Sequence, residues 1–340
     1  MKTERMIAMP KNEIRAVLSA VNLGPEMEER INTAFAPAKV HHVSFRDSEA
    51  IARVINEVDV AVLPGDLDER ILEGEGLKWV HCCHSGLTKS ARAEVFERGI
   101  LLSGAAGRSA PSLAEHAFFF ALALTYDVYR LREAQQAHSW GEMAKQYAAS
   151  RGLNGQTIGI IGLGNTGRAV AKRAQAFEMR VMAYSRSAVE GLPENVDEYF
   201  AVERGENIDK ILLECDFLVL CCHLSDGTYH MIGKRELGMM KPSAVLINMA
   251  RGAVVDQTAL YEALKNRTIT GAGCDVFDPE PLPQDSPLWD LPNIIITPHA
   301  TPRVANFAES STRTLFENIK RYQNGEPLLN ALTARDIFTK

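Results

Sequence analysis

The sequence predicts an α/β protein of two domains, each a parallel sheet covered by helices, with one domain inserted into the other. Three observations carry this. Apolar strand-like runs alternate with helix-like segments along the chain, which is the pattern of βαβ units. A glycine-rich turn follows one such run near the middle and opens a helical pattern. The chain has 340 residues, enough for two domains of about 100–200 residues each.

In the first hundred residues, VHHVSF (40–45), DVAVLP (59–64), LKWVHCCHSG (77–86) and ILLSG (100–104) read as strands. SEAIARVINEV (48–58) and SARAEVFERG (90–99) read as helices, the second closed by Gly99. Residues 112–137 form the longest helical pattern, with Ser112 as N-cap and Glu115 in capping-box position. Its apolar half, His116 and the phenylalanines included, reads as helix packing. A second α/β unit begins at Thr157: TIGII is strand, NTGRAVAKRAQAFE helix and MRVMAYS strand. Later strands are DFLVLCC (216–222), AVLINMA (244–250), GAGCDVF (271–277) and NIIITPH (293–299), and 303–323 is again helical. The expected division is 1–108 with 300–340 as one domain and 109–299 as the inserted one.

Bulk properties exclude several classes. A net charge of −6, with 46% hydrophobic and 24% charged residues, gives no concentrated basic surface for nucleic acid. The longest apolar stretch, Ala117 to Leu124, is far short of the roughly 20 residues of a membrane span. The start of the chain lacks the apolar core of a signal peptide. A cytoplasmic protein is expected. The six cysteines, Cys82, Cys83, Cys215, Cys221, Cys222 and Cys274, fit reduced core thiols better than a disulfide framework. His81-Cys82-Cys83-His84 suggests a metal, but neighbouring strand residues point to opposite faces and cannot converge on one ion. Cys221-Cys222-His223 fails likewise, so no metal is expected.

The turn Gly162-Leu163-Gly164-Asn165-Thr166-Gly167 matches the dinucleotide pattern of a Rossmann-like domain. Its glycines serve the tight turn, the approach of a pyrophosphate and close helix–strand packing. At the end of the next strand an acid would bind the ribose hydroxyls of NAD. Here stand Ser185, Arg186 and Ser187. Arginine and hydroxyls suit a 2′-phosphate, so NADP(H) is expected to be preferred, with NAD(H) possible.

Three further strand ends carry chemistry. Arg251 follows NMA, Glu280 lies in DVFDPEP and His299 in TPHA. Ligands of open α/β sheets bind at the carboxyl ends of strands. Reducing a 2-keto acid needs a proton donor for the carbonyl oxygen, which histidine can be. It needs a carboxylate to orient that ring and an arginine to fork the substrate carboxylate. Singly each residue has a structural explanation. Together, at successive strand ends after a dinucleotide turn, they point to catalysis.

With IGIIGLGNTGRAVAKR, MKPSAVLINMARGAVVDQTALYEAL, GAGCDVFDPEPLP and NIIITPHAT, the chain resembles the D-isomer-specific 2-hydroxyacid dehydrogenases over residues 77 to 302. The resemblance implies Arg251 as substrate-carboxylate arginine, His299 as proton donor and Glu280 as its partner. It implies Asp275 on the nicotinamide carboxamide and the backbone of Ser85-Gly86-Leu87 on the substrate carboxylate. Cys222, His223, Met249 and Ala250 are expected beside the cofactor. Trp140 resembles a tryptophan of a dimer-forming arm, so a homodimer is expected. The expected reaction is reduction of glyoxylate- or hydroxypyruvate-like acids. Alternatives are a D-3-phosphoglycerate or formate dehydrogenase and an NAD(H)-sensing corepressor. The chain departs from the family at His223, where proline is common, and at Ala300-Thr301-Pro302.

Overall fold

The computed structural model describes residues 12–300 and 304–340. The chain divides into two compact units. Unit 1 runs to Arg108 and resumes from Val304 to Thr339; unit 2 starts at Ser109 and includes Lys340.

Unit 1 begins with β1 (Ala16–Ser19), α1 (Pro25–Phe35), β2 (Lys39–His42), α2 (Ser48–Val54) and β3 (Val60–Leu63). It continues with α3 (Glu69–Leu72), β4 (Trp79–Cys82), α4 (Ala93–Glu97) and β5 (Leu101–Gly104). The strands β1, β3 and β4 are buried at every position, as parallel strands covered on both faces must be. Alternate residues serve opposite faces. Leu18, Leu63 and Val80 join one core with Ile51 and Leu102; Val17, Val62 and Trp79 join the other with Ile31 and Phe35. The strand expected over 40–45 is shorter, and the helix expected over 48–58 ends in a 3-10 turn, Ile55–Glu57.

Unit 2 opens with α5 (Ala110–Thr125), α6 (Val128–Gln136) and α7 (Trp140–Ala149). Here the single helix expected over 112–137 is corrected. Asp127 takes a left-handed conformation (φ 45°), and its carboxylate accepts from the Arg130 N–H at 3.3 Å, starting a new helix. Ser112 is not the cap. The helix starts two residues earlier with Pro111 in its first turn, where a missing N–H costs nothing. Ser112 is buried inside the helix, and Glu115 pairs instead with Arg173 at 2.9 Å.

The unit 2 sheet follows: β6 (Thr157–Ile161), α8 (Asn165–Ala176), β7 (Arg180–Ser185), β8 (Glu198–Ala201) and α9 (Asp209–Glu214). Then come β9 (Phe217–Leu220), α10 (Lys234–Met239), β10 (Val245–Asn248), α11 (Gln257–Lys265), β11 (Gly271–Cys274) and β12 (Ile294–Ile296). Its order is β8-β7-β6-β9-β10-β11-β12, and every pair is parallel. The order reverses between β6 and β9, the switch point at which such sheets bind ligands.

The chain then returns to unit 1 as α12 (Phe307–Asn324) and β13 (Ala331–Leu332). Leu315, Ile319 and Tyr322 of α12 complete the second core, with Tyr322 stacked on Trp79 at 5.3 Å. β13 pairs antiparallel with β5, giving the order β2-β1-β3-β4-β5-β13. Both units are thus α/β with largely parallel sheets. Among the described residues, no helix is long and apolar enough to cross a membrane.

Candidate active site

The glycine turn lies at the switch point. Gly162 leaves β6 at φ +99°, and a Cβ there would stand 2.6 Å from the backbone of Cys222, at the exit of β9. Only glycine fits so close a crossing. A Cβ on Gly167 would stand 2.1 Å from the Gly162 carbonyl oxygen, so the first turn of α8 also closes against the strand exit. Gly164 caps α8 without a side chain and has nothing within 4 Å. That bare helix start, with its N–H groups and partial positive charge, fits a pyrophosphate. Leu163 is buried in the core, whereas Asn165 and Thr166 stand more open.

The exit of β7 carries Ser185, Arg186 and Ser187. The Ser185 hydroxyl lies 3.0 Å from the Ser187 carbonyl oxygen and 2.5 Å from the Tyr199 hydroxyl. Tyr199 also donates to Ser187, so the turn is tied to β8. Arg204 lies over the Tyr199 ring at 5.0 Å. Arg186 is exposed. Sequence reasoning missed Glu203, whose carboxylate accepts from the Ala188 N–H at 3.1 Å. Its approach is invisible in a count along the chain.

At the exit of β10, the buried Asn248 side chain accepts from the Ala250 N–H at 3.0 Å and donates to the Arg251 carbonyl at 3.1 Å. This brace orients Arg251, whose guanidinium donates to the Ala250 carbonyl at 2.6 Å. Met249 and Ala250 are buried. Gly252 follows, pressed so tightly on the β11 exit that a Cβ would stand 1.9 Å from the Phe277 carbonyl carbon.

The β11 exit carries Asp275 and Glu280. One Glu280 oxygen accepts from the Phe277 N–H at 2.9 Å, and the other lies 2.7 Å from His299 Nδ1. His299, just past β12, has φ +51°, an uncommon conformation of the sort that clusters at functional sites. Its N–H donates to the Asp275 carbonyl at 2.8 Å. With a carboxylate as acceptor, Nδ1 carries a proton, which leaves Nε2 to exchange one. The ring is 47% exposed, so a reactant can reach it. Arg251, Glu280 and His299 therefore follow three adjacent strands, β10, β11 and β12.

Asp275 is 2% exposed. One oxygen accepts from the Thr297 hydroxyl at 2.5 Å and from the Ala300 N–H at 3.3 Å. Past β9, the His223 carbonyl accepts from the Thr228 hydroxyl at 2.8 Å. Burial pushes the Cys222 thiol up to about 12, far from a reactive thiolate.

In unit 1, Ser85-Gly86-Leu87 follow β4. Gly86 has φ +77°, while the Leu87 side chain is core, with Gly104 leaving room for it. His81 is fully buried, with Nδ1 2.9 Å from the Ser103 hydroxyl. Burial pushes its pKa down to about 3. Among the described residues, no three His, Cys, Asp or Glu side chains are grouped to hold a metal. Trp140 begins α7 and is 80% exposed.

A switch-point sheet with a glycine turn cut to fit a pyrophosphate defines a Rossmann-type dinucleotide-binding protein. Comparison with known proteins narrows this. Residues 118–301 match the NAD-binding domain of the D-isomer specific 2-hydroxyacid dehydrogenases. A glyoxylate reductase of Thermococcus litoralis is 34% identical over 84% of this chain and 86% of its own length. Another, of Thermococcus gammatolerans, is 33% identical over 94% and 92%. A solved D-isomer specific 2-hydroxyacid dehydrogenase of Xanthobacter autotrophicus, in complex with NADPH and MES, superposes with a TM-score of 0.78 at 25% identity, over 95% of this chain and 99% of that one. The chain belongs to the D-isomer specific 2-hydroxyacid dehydrogenase family.

Proposed function

We propose that this D-2-hydroxyacid dehydrogenase reduces short 2-keto acids, glyoxylate or hydroxypyruvate in kind, with NADPH preferred over NADH. The observation that carries the reading is the Glu280–His299 pair at 2.7 Å, set beside the strand exit that bears Arg251. The relatives named as glyoxylate reductases support the substrate class.

Reduced dinucleotide, when bound at Gly162–Gly167, supplies the hydride. His299 gives the carbonyl oxygen a proton from Nε2, and Glu280 holds the ring and offsets its charge. Arg251 forks the substrate carboxylate and polarises the carbonyl. The backbone N–H groups of Ser85, Gly86 and Leu87 are assigned to binding of a substrate carboxylate. Asp275 is assigned to the nicotinamide carboxamide. Cys222, His223, Met249 and Ala250 are assigned to the cofactor's border. Unit 2 is the dinucleotide domain and unit 1 the substrate domain.

NADPH is preferred because Arg186 and Ser187 face solvent at the turn where a 2′-phosphate needs cations and donors. The nearby Glu203 has an oxygen engaged by the Ala188 N–H. Exposed Trp140, Tyr129 and Tyr147 suit a second copy of the chain, so a homodimer is part of the reading. The free, largely buried cysteines suit the cytoplasm.

The test is a panel of 2-keto acids with NADPH and with NADH, followed at the nicotinamide absorbance. Turnover of glyoxylate and hydroxypyruvate with a higher kcat/KM for NADPH is expected. Arg186→Ala should lower that advantage. No turnover with any acid would sink the reading, and an NADH preference would sink its cofactor half.

A further inference from the structure

We propose that His116 is a positioning residue: through Thr297 it holds the Asp275 carboxylate, and with it the segment that presents His299. The proposal rests on the assignment of Asp275 to the nicotinamide carboxamide. Nothing in the sequence pattern distinguishes His116 from the packing residues around it.

The placement follows from two matched repeats. α5 lies on β11, and two glycines of that strand make the contact possible. A Cβ on Gly273 would stand 2.4 Å from the Phe120 ring, and one on Gly271 would stand 3.2 Å from Leu124. Residues two apart share a strand face, about 6.6 Å apart. Residues four apart share a helix face, about 6 Å apart. Leu124 over Gly271 and Phe120 over Gly273 therefore bring the next residue of the helix stripe, His116, level with the next residue of the strand face, Asp275. The helix start and the strand end meet at the edge where ligands bind.

The contacts agree with that register. The His116 ring stacks on Phe120, with centroids 4.6 Å apart, and lies 5.7 Å from Phe119. Its Nε2 is 3.3 Å from the Thr297 hydroxyl, which lies 2.5 Å from Asp275 Oδ1. A threonine hydroxyl has one proton. Given to the carboxylate, it leaves the oxygen to accept, so His116 donates from Nε2. Burial holds the His116 imidazole below its usual pKa, against the pull of Asp275, so the donor is a neutral ring with its proton on Nε2. The line His116–Thr297–Asp275 thus has every proton assigned. It ends on the residue whose carbonyl receives the His299 N–H at 2.8 Å.

Three variants test this. His116→Phe keeps the ring stack and removes the donor. Thr297→Val removes the hydroxyl at nearly equal volume. His116→Gln keeps an N–H near the Nε2 position. Dinucleotide Kd is read by nicotinamide fluorescence, with kcat, KM for the keto acid and thermal midpoint alongside. H116F and T297V should each raise the dinucleotide Kd about tenfold, the scale of a lost hydrogen bond in a line ending on a charged group. KM for the keto acid should move less. The double variant should be no worse than the worse single, because both cut one line, and H116Q should restore most of the affinity. An unchanged Kd in H116F, additive losses in the double variant, or an H116Q as damaged as H116F would overturn the proposal. Should H116F fail to fold, T297V and H116Q decide alone: the first must weaken binding and the second must not. Wild-type protein that binds neither NADPH nor NADH would overturn both this inference and the reading beneath it. Normal wild-type binding with an indifferent H116F overturns this one only.

Discussion

Two acid–imidazole arrangements hang from the exit of β11, one open to solvent and one closed. Glu280 meets His299 directly at 2.7 Å, and that ring is 47% exposed. Asp275 reaches His116 through the Thr297 hydroxyl, beneath a ring stacked on Phe120. The residue types match, and the surroundings differ. An exposed imidazole with one nitrogen engaged can trade a proton at the other. A buried one, walled by phenyl rings, has its charged form disfavoured and serves as a fixed donor. Residue identity alone therefore does not separate chemistry from scaffolding.

The largest expected effect is at the open pair. His299→Ala should lower kcat by about 10²–10⁴-fold, the usual contribution of a placed proton donor. Dinucleotide Kd from a fluorescence titration should stay near the wild-type value. A matching loss of dinucleotide affinity would erase the distinction between the two arrangements.

Next is a change that strikes both. A Cβ on Gly252 would stand 1.9 Å from the Phe277 carbonyl carbon and 2.0 Å from its oxygen, in the stretch between Asp275 and Glu280. Gly252→Ala should cost about 1–3 kcal/mol in urea unfolding, as overpacking does. It should also reduce kcat and dinucleotide affinity together. An unfolding midpoint equal to wild type would show that the β11 exit yields more easily than its contacts indicate.

The smallest effect concerns the closed environment in its extreme form, His81 of unit 1. Burial pushes its pKa down from 6.5 to about 3, so the unfolded chain takes up the proton first. Its contribution to stability is complete above about pH 6.5 and falls as pH drops toward 3, by at most about 1.4 kcal/mol per pH unit. His81→Asn, which can still meet Ser103, should flatten the decline in urea midpoint between pH 7 and 5.5. A decline as steep in the variant would assign the loss to other groups.

Much of this was legible in the chain. Buried parallel strands advertise themselves as apolar runs, and DFLVLCC and AVLINMA contain β9 and β10. The glycine turn reads plainly because its spacing has a steric cause, seen in the Gly162 and Gly167 contacts. Arg251, Glu280 and His299 were legible as strand-end residues, since each follows an apolar run. What escaped depends on contacts distant in sequence. His116 and Thr297 are 181 positions apart, and helical periodicity assigns a histidine among phenylalanines to packing. The break at Asp127 escaped because the pattern on either side stays helical, and one left-handed residue leaves no periodic trace. β1 and α1 escaped as well: Pro25 at the start of α1 and the short apolar AVLS give a window too brief to count a period in.

The return of the chain to unit 1 has a consequence for biosynthesis. Trp79 and Phe35 share their core with Leu315, Ile319 and Tyr322, and the edge of β5 is capped by Ala331–Leu332. A ribosome that has released residues through Ile296 has delivered every strand of the second sheet, yet one face of the first still lacks part of its apolar cover. The domain begun earlier is therefore finished later. During that interval the nascent polypeptide offers chaperones a ready hydrophobic surface, which the last helix then covers.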